Sequence, residues 1–239
     1  MPQVQRPLRN LLLAALPADA SERLLPHLDL APMTLGQVVY ESGAQLEHVY
    51  FPANCIVSML YVMADGASAE VAVVGKDGMV GLALIMGGDT TPSRALVQSA
   101  GDTYRLPKEI MKSEFNQMGA LHMLVLRYTQ ALLTQMAQTA VCNRHHTVDQ
   151  QLCRWLLLSL DRLDSNDISM TQELIANMLG VRREGVNLAA GKLQASGIIH
   201  YRHGTITVLD RRKLEERVCE CYEVVRKEAA RLLPLARPV

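Results

Sequence analysis

The chain has 239 residues, 49% of them apolar, which is enough for one large or two modest domains and too apolar for disorder to be the default. Its 24 basic and 24 acidic residues cancel, a balance that by itself argues against a nucleic-acid binder. The distribution says more: residues 1–142 carry 9 Lys and Arg against 12 Asp and Glu, and residues 143–239 carry 15 against 12.

Residues 8–29 read as helical turns, "LRNLLLAAL" and then "PADASERLLPHL", with Asp19 or Ser21 as the cap of the second. The apolar run "LLLAAL" is six long and ends at Pro17, too short for a secretory signal. No run approaches the length of a membrane span, so a soluble, cytoplasmic protein without membrane contact is expected. From about 33 to 107 the segments "QVVY", "HVYFP", "CIVSMLYVM", "SAEVAVVG", "SRALVQSA" and "DTYRLP" alternate with turn signals such as "ADGAS" and "GKDG". Short β-branched segments at this spacing predict an antiparallel sandwich or barrel.

From 108 the pattern turns helical. "PKEIMKSEFNQM" predicts one short helix. More than forty residues without Gly or Pro follow, predicting a long helix over 120–143 and another over 147–163. Leu121, Leu124, Tyr128, Leu132, Met136 and Ala140 form an apolar stripe on the long helix. It can pack on its own β domain or on the same helix of a second chain; its length and the flanking Gln130, Gln135 and Gln138 favour the second. Trp155 and the leucines 156–158 read as core. "LDSND" (163–167) reads as a linker-like turn, and one last helix is expected over 211–233.

The five cysteines, at 55, 142, 153, 219 and 221, form no disulfide framework and suit a reducing compartment. Cys219 and Cys221, two apart on a helix, point in different directions and make a poor metal pair. His145 and His146 diverge in the same way and are read as capping, solvated or phosphate-touching groups. No metal site and no cofactor are expected.

The most informative stretch is "MTQELIANMLGVRREGV" (170–186). A first helix over 171–178, capped by Thr171 or Ser169, buries Ile175, Met178 and Leu179, and Gly180 makes a sharp turn. The second helix runs from Val181 or Arg182 to Gln194, with Val186, Ala190 and Leu193 inward. Glu184, Leu188 and Gly191 then point out, flanked by Arg183 and Asn187 on one side and Lys192 on the other. Arg, Glu and Asn at the front of a helix match the hydrogen-bonding edges of guanine, cytosine and adenine in a major groove. "IIHYRHGTITVLD" predicts a hairpin whose tip, Arg202, His203 and Gly204, suits a phosphate backbone. Together these make a winged helix-turn-helix.

On these residues the chain resembles the Crp/Fnr superfamily of bacterial transcription regulators over roughly 10–225, "VRREGV" being the most specific part. The resemblance implies an α+β fold: an N-terminal antiparallel β-roll, jelly-roll-like and of the cyclic-nucleotide-binding type, with N-terminal helices (1–119), a long dimerisation helix (120–146) and a C-terminal winged helix-turn-helix domain (147–239). It implies a homodimer on a near-palindromic double-stranded DNA operator, with RNA polymerase as a further partner. Arg183 and Glu184 take the base-reading positions, Arg182 the phosphate contact, and Leu188 a further base position that is often basic. An exposed Leu there can meet a thymine methyl.

The same resemblance marks "GMVGLALIMGGDTTPSRALV" (78–97) as the effector cassette: Gly78, Met79, Gly81, Leu82, Ser93 and Arg94. Met79 stands where the family has the glutamate that binds the ribose, so an effector other than cyclic AMP, or none, is implied. Arg94 or Ser93 falls at the anion position according to the alignment, and the two lie on opposite faces of a strand. No cysteine precedes Cys55, against an N-terminal iron–sulfur cluster. A metalloenzyme roll needs several converging ligands, and 33–107 holds only His48. The alternative to a DNA-binding regulator is a cyclic-nucleotide-binding module acting through protein contacts.

Overall fold

The computed structural model describes residues 8–234. Asn10 starts the first helix, α1 (Leu11–Ala14): its side-chain oxygen accepts from the N–H groups of Leu12 and Leu13. Its amide donates to the carbonyls of Pro52 and Gly78, so this fully buried group is satisfied and ties the N-terminus to the roll. Helix α2 (Ala18–Leu24) begins at Pro17 without a side-chain cap, so neither Asp19 nor Ser21 has that role. A 3-10 turn leads into strand β1 (Asp29–Met33), which starts ahead of residue 33.

Six more strands follow: β2 (Val38–Tyr40), β3 (His48–Pro52), β4 (Ile56–Val62), β5 (Ser68–Val74), β6 (Arg94–Ser99) and β7 (Gly101–Pro107). They form two antiparallel sheets, in the orders β1-β7-β3 and β2-β6-β4-β5. Alternate side chains meet inside the roll: Val49, Phe51, Val57, Ala72, Val74, Ala95, Val97 and Leu106 are at most 2% exposed.

After α3 (Lys108–Asn116) comes α4 (Ala120–His145), whose 26 residues span about 39 Å. The expected dimer stripe lies elsewhere than expected. Leu121, Leu124, Tyr128 and Leu132 are buried against the core of their own roll, Met136 is half-buried there, and Ala140 is exposed. An apolar stripe packs on the first apolar surface within reach, and the roll supplies one. The opposite side of α4 exposes Met123, Leu126, Leu133 and Val141.

Helix α5 (Val148–Leu160) opens with a reciprocal capping box between Thr147 and Gln150. Trp155 and the leucines 156–158 are core, as their sequence predicts. The segment after 163 leads straight into a strand, β8 (Asp167–Ser169), followed by α6 (Gln172–Leu179), α7 (Arg183–Ala195) and the hairpin β9 (Ile199–Arg202) and β10 (Thr205–Val208). The small sheet has the order β8-β10-β9.

The last helix is two helices, α8 (Arg211–Arg217) and α9 (Cys221–Leu232), broken at 218–220. Cys219 therefore lies in the break and Cys221 begins α9, so the two thiols do not diverge on one helix. A second core joins Ile56, Leu60 and Val73 of the roll's outer face to α5, α6, α7 and α8. Helix α9 runs back along α4.

Candidate nucleic-acid interface

The first helix of the motif is capped by Thr171, whose hydroxyl accepts from the Leu174 N–H at 3.3 Å. Ile175, Met178 and Leu179 are buried as predicted, with Ala176 beside them. Gly180 is left-handed at φ 65°, the conformation that ends α6 and turns the chain. A Cβ there would lie 3.3 Å from the Ala69 Cβ on β5, so the turn also needs the small residue for close approach.

Helix α7 buries Val186, Ala189, Ala190 and Leu193 and leaves Arg182, Arg183, Glu184, Asn187, Leu188, Gly191 and Lys192 exposed. Arg182 is the residue ahead of the helix and provides no side-chain cap. The Gly185 and Val186 N–H groups donate to the Arg182 carbonyl, which leaves those of Arg183 and Glu184 open to a phosphate oxygen. Gln172 of α6 donates to the Asn187 side-chain oxygen at 3.4 Å. Lys192 pairs with Asp149 of α5 at 2.8 Å, a counter-charge that sequence spacing does not reveal because the two lie 43 residues apart.

The hairpin turns through His203 and Gly204, both at positive φ, as a tight two-residue turn requires. The Met170 N–H donates to the Gly204 carbonyl at 2.6 Å and fixes the wing against the start of α6. Arg202 and His203 are exposed at the tip. With Thr171, Gln172, Arg183, Tyr201 and Gly204 they line an open cleft of about 270 Å³. Gln172 and Tyr201 belong to this surface although sequence reasoning did not single them out; a strand-to-helix fold-back brings them there. The Tyr201 hydroxyl donates to the Met170 carbonyl, and burial pushes its pKa up against the opposing charge of Arg183.

The cassette residues are placed differently. Met79 is fully buried in the roll core, and Gly78 packs against α4: a Cβ there would lie 2.6 Å from the Tyr128 hydroxyl. That hydroxyl donates to the Met79 carbonyl at 2.9 Å. Gly81 and Leu82 open a 3-10 turn. Ser93 is 2% exposed and bonded to the Thr91 hydroxyl, on the inner side near Tyr40. Arg94 shares the outer face of β6 with Leu96, which packs on the second core, and with Gln98, which donates to Ser159 of α5. Its guanidinium pairs with Glu41 at 3.2 Å.

A β-roll, a long helix and a winged helix-turn-helix with its reading surface open define a DNA-binding transcription regulator with an attached roll domain. A family model described as a Crp-like helix-turn-helix domain matches residues 150–217, and one described as a cyclic nucleotide-binding domain matches residues 33–118, between them more than half of the chain. The chain belongs to the Crp/Fnr superfamily of transcription regulators. Solved structures share the fold at low identity. A CRP-family transcriptional regulator from Thermus thermophilus is 19% identical, with a TM-score of 0.66 over 78% of this chain and 95% of that one. FixK2 from Bradyrhizobium japonicum is 16% identical, with a TM-score of 0.65 over 80% and 98%. The c-di-GMP responsive global regulator CLP from Xanthomonas campestris is 18% identical, with a TM-score of 0.62 over 80% and 99%. Comparison with curated protein sequences gives no match. Among the described residues no helix is long and apolar enough to cross a membrane.

Proposed function

We propose that the protein is a homodimeric regulator that reads a near-palindromic double-stranded DNA operator in the cytoplasm, with RNA polymerase as its further partner. The observation that carries this reading is the front of α7. Among the described residues Arg182, Arg183 and Glu184 make no side-chain hydrogen bond or ion pair, and Asn187 accepts only from Gln172; all four are exposed next to the wing tip, on an uncapped helix start. Arg183, Glu184 and Asn187 read base edges; Leu188 meets a thymine methyl; Arg182, Thr171, Arg202, His203 and Lys192 hold phosphates.

The dimer is supported by the side of α4 turned away from the roll. Met123, Leu126, Gln130, Leu133, Ala137, Ala140 and Arg144 recur at alternating steps of three and four, and all are exposed. That is the heptad spacing of a two-helix seam, with Leu126, Leu133 and Ala140 one heptad apart. A two-fold axis along it sets two α7 helices about one DNA turn apart.

The roll carries the control, through an effector other than cyclic AMP or without one. Met79 offers no acceptor for a ribose hydroxyl, and Arg94 spends its charge on Glu41 outside the roll. An effector acts by shifting populations between arrangements of the α4 pair.

Selection of bound sequences from a random DNA pool, followed by footprinting, tests the reading. The expected result is a two-fold symmetric footprint whose affinity falls steeply with salt. A footprint without symmetry, or a chain indifferent to duplex DNA at low salt, would refute it. Calorimetry with cyclic AMP, cyclic GMP and cyclic di-GMP tests the effector statement, and saturable binding of cyclic AMP would overturn it.

A further inference from the structure

Three thiols and an imidazole meet where the end of α4 touches the break between α8 and α9. Cys142 Sγ lies 3.6 Å from Cys219 Sγ, and His146 Nδ1 lies 3.4 Å from Cys221 Sγ. One ligand atom from each of the four residues falls within 4.8 Å of the other three. The cysteines are free thiols at most 4% exposed, and His146 is half-buried. Four ligands around one tetrahedral ion, with bonds of about 2.3 Å to sulfur and about 2.0–2.1 Å to nitrogen, stand roughly 3.5–3.8 Å apart. The closest observed separations fall within a few tenths of an ångström of that range.

We propose that Cys142, His146, Cys219 and Cys221 form a Cys3His site for a thiophilic divalent cation, zinc being the best fit. Thiolates and imidazole select such an ion over magnesium or calcium. Four protein ligands leave no open position, which makes the site structural.

The surroundings are those of a metal site rather than of a simple dithiol. The outer nitrogen of His146, Nε2, lies 3.4 Å from a Glu220 carboxylate oxygen, so a carboxylate orients the ring and presents Nδ1 to the thiols. Gln138 Nε2 donates to Cys221 Sγ at 3.2 Å. Three thiolates around a doubly charged ion leave one negative charge. Arg154, 5% exposed and with a partnerless Nε, places its positive charge close enough to act on Cys142.

The backbone gives a second pointer. "RVCECYEV" (217–224) contains neither Gly nor Pro, so no helix-breaking residue stops α8 at Arg217. Val218 is nonetheless extended, at φ −72° and ψ 153°. That break turns Cys219 and Cys221 to one point, and a metal bound there stabilises it. His146 ends α4 and Thr147 caps α5, so the ion clamps the corner between the long helix and the DNA-binding domain.

The test uses the full chain, purified under reducing conditions without chelator. Elemental analysis should find one zinc per chain. Protein reconstituted with cobalt(II) should show the intense visible absorption of a tetrahedral site and a sulfur-to-metal charge-transfer band. Cys221→Ser and His146→Ala should lose the metal, and His146→Cys should regain it with an altered cobalt spectrum. Glu220→Gln should keep the tetrahedral spectrum but bind zinc about tenfold or more weakly. Cys55→Ser and Cys153→Ser, outside the cluster, should keep a full complement. The spectra of the unaltered chain need no variant to fold. Absence of zinc together with no cobalt spectrum in that chain would overturn the proposal. So would a cobalt spectrum that survives Cys142→Ser combined with Cys221→Ser, or a Cys142–Cys219 disulfide in protein isolated with its thiols trapped.

Discussion

Arg183 and Lys192 project from one helix into different surroundings, and the proposed function gives them different work. Arg183 lines the cleft beside the wing, whereas Lys192 sits at the far end of α7 against Asp149. Arg183→Ala should cost about 1–3 kcal/mol on the preferred operator and relax the choice at one base position. Lys192→Ala should weaken all sequences alike and lower the salt slope by about one. Titrations of both variants against preferred and scrambled duplexes separate the roles; identical behaviour would show them misassigned. Asp149→Asn frees Lys192 and should tighten binding to every sequence a few-fold, the worth of a partly exposed ion pair. Glu70 is a charge of another kind. It lies on the outer face of β5 beneath α5, where burial pushes its carboxyl from 4.5 up to about 7. The charges of Arg154 and Arg162 pull the other way and do not win. The folded chain keeps a proton there that the unfolded chain releases. Stability from this group is therefore full below pH 4.5 and is lost as the pH rises towards 7. Glu70→Gln should abolish that loss, which amounts to at most about 3 kcal/mol at 1.36 kcal/mol per unit. Melting temperatures of both proteins across this pH window check it, and parallel curves would contradict it.

At the scale of elements, α4 has one apolar side buried on the roll and another exposed, and the stability role of the first and the proposed dimer role of the second can be separated by mutation. Leu124→Ala opens a cavity against the roll and should cost about 2–5 kcal/mol of stability. Leu126→Glu with Leu133→Glu places charge on the exposed seam. It should leave circular dichroism and melting of the monomer intact while light scattering reports a single chain. A doubly substituted chain that remains dimeric would place the seam elsewhere. The sequence did not distinguish the sides because α4 carries apolar residues all round, at 121, 123, 124, 125 and 126 alone. Periodicity finds such a helix but cannot choose its face; the roll makes the choice. Strands β2 to β7 were legible from their β-branched segments and turns, and the helix-turn-helix from Gly180 and its flanking apolar spacing. Strand β1 was not, because Pro32 and mostly exposed side chains erase its alternation; it survives as an edge strand paired only with β7. The break between α8 and α9 was invisible for the reason given above: it lacks the residues that break helices. In the cassette, Met79 could be read as a missing acceptor. Gly78 could not be read as a seat for Tyr128, because that depends on where α4 lies.

Across the whole molecule, the roll and the DNA-binding domain share one core, and this decides how the protein can move. Ile56, Leu60 and Val73 of the roll are buried among Leu152, Trp155, Leu156, Met178 and Leu179. Polar groups cross the same boundary. Ser58 donates to the Gln98 side-chain oxygen at 2.7 Å, and the Gln98 side-chain amide donates to the Ser159 hydroxyl of α5 at 3.0 Å. Arg162, just past α5, pairs with Asp77 at 2.9 Å and donates to Gln135 of α4 at 3.2 Å. Moving the reading helix against the roll would expose these buried partners, and each group left unpaired costs about 1–3 kcal/mol. If the proposed dimer forms, rearrangement that controls DNA binding therefore belongs between its two chains rather than at this boundary. The same coupling predicts how the chain unfolds. Trp155, its single tryptophan, reports on the DNA-binding side, and far-ultraviolet circular dichroism reports on strands and helices together. At fixed protein concentration the two melting curves should coincide in one transition. Leu60→Ala, placed in a roll strand, should lower the tryptophan transition by the same amount as the dichroism transition, about 2–5 kcal/mol. Two separate steps, or a Leu60→Ala effect confined to the dichroism, would mean that the domains unfold independently and that the boundary is free to act as a hinge.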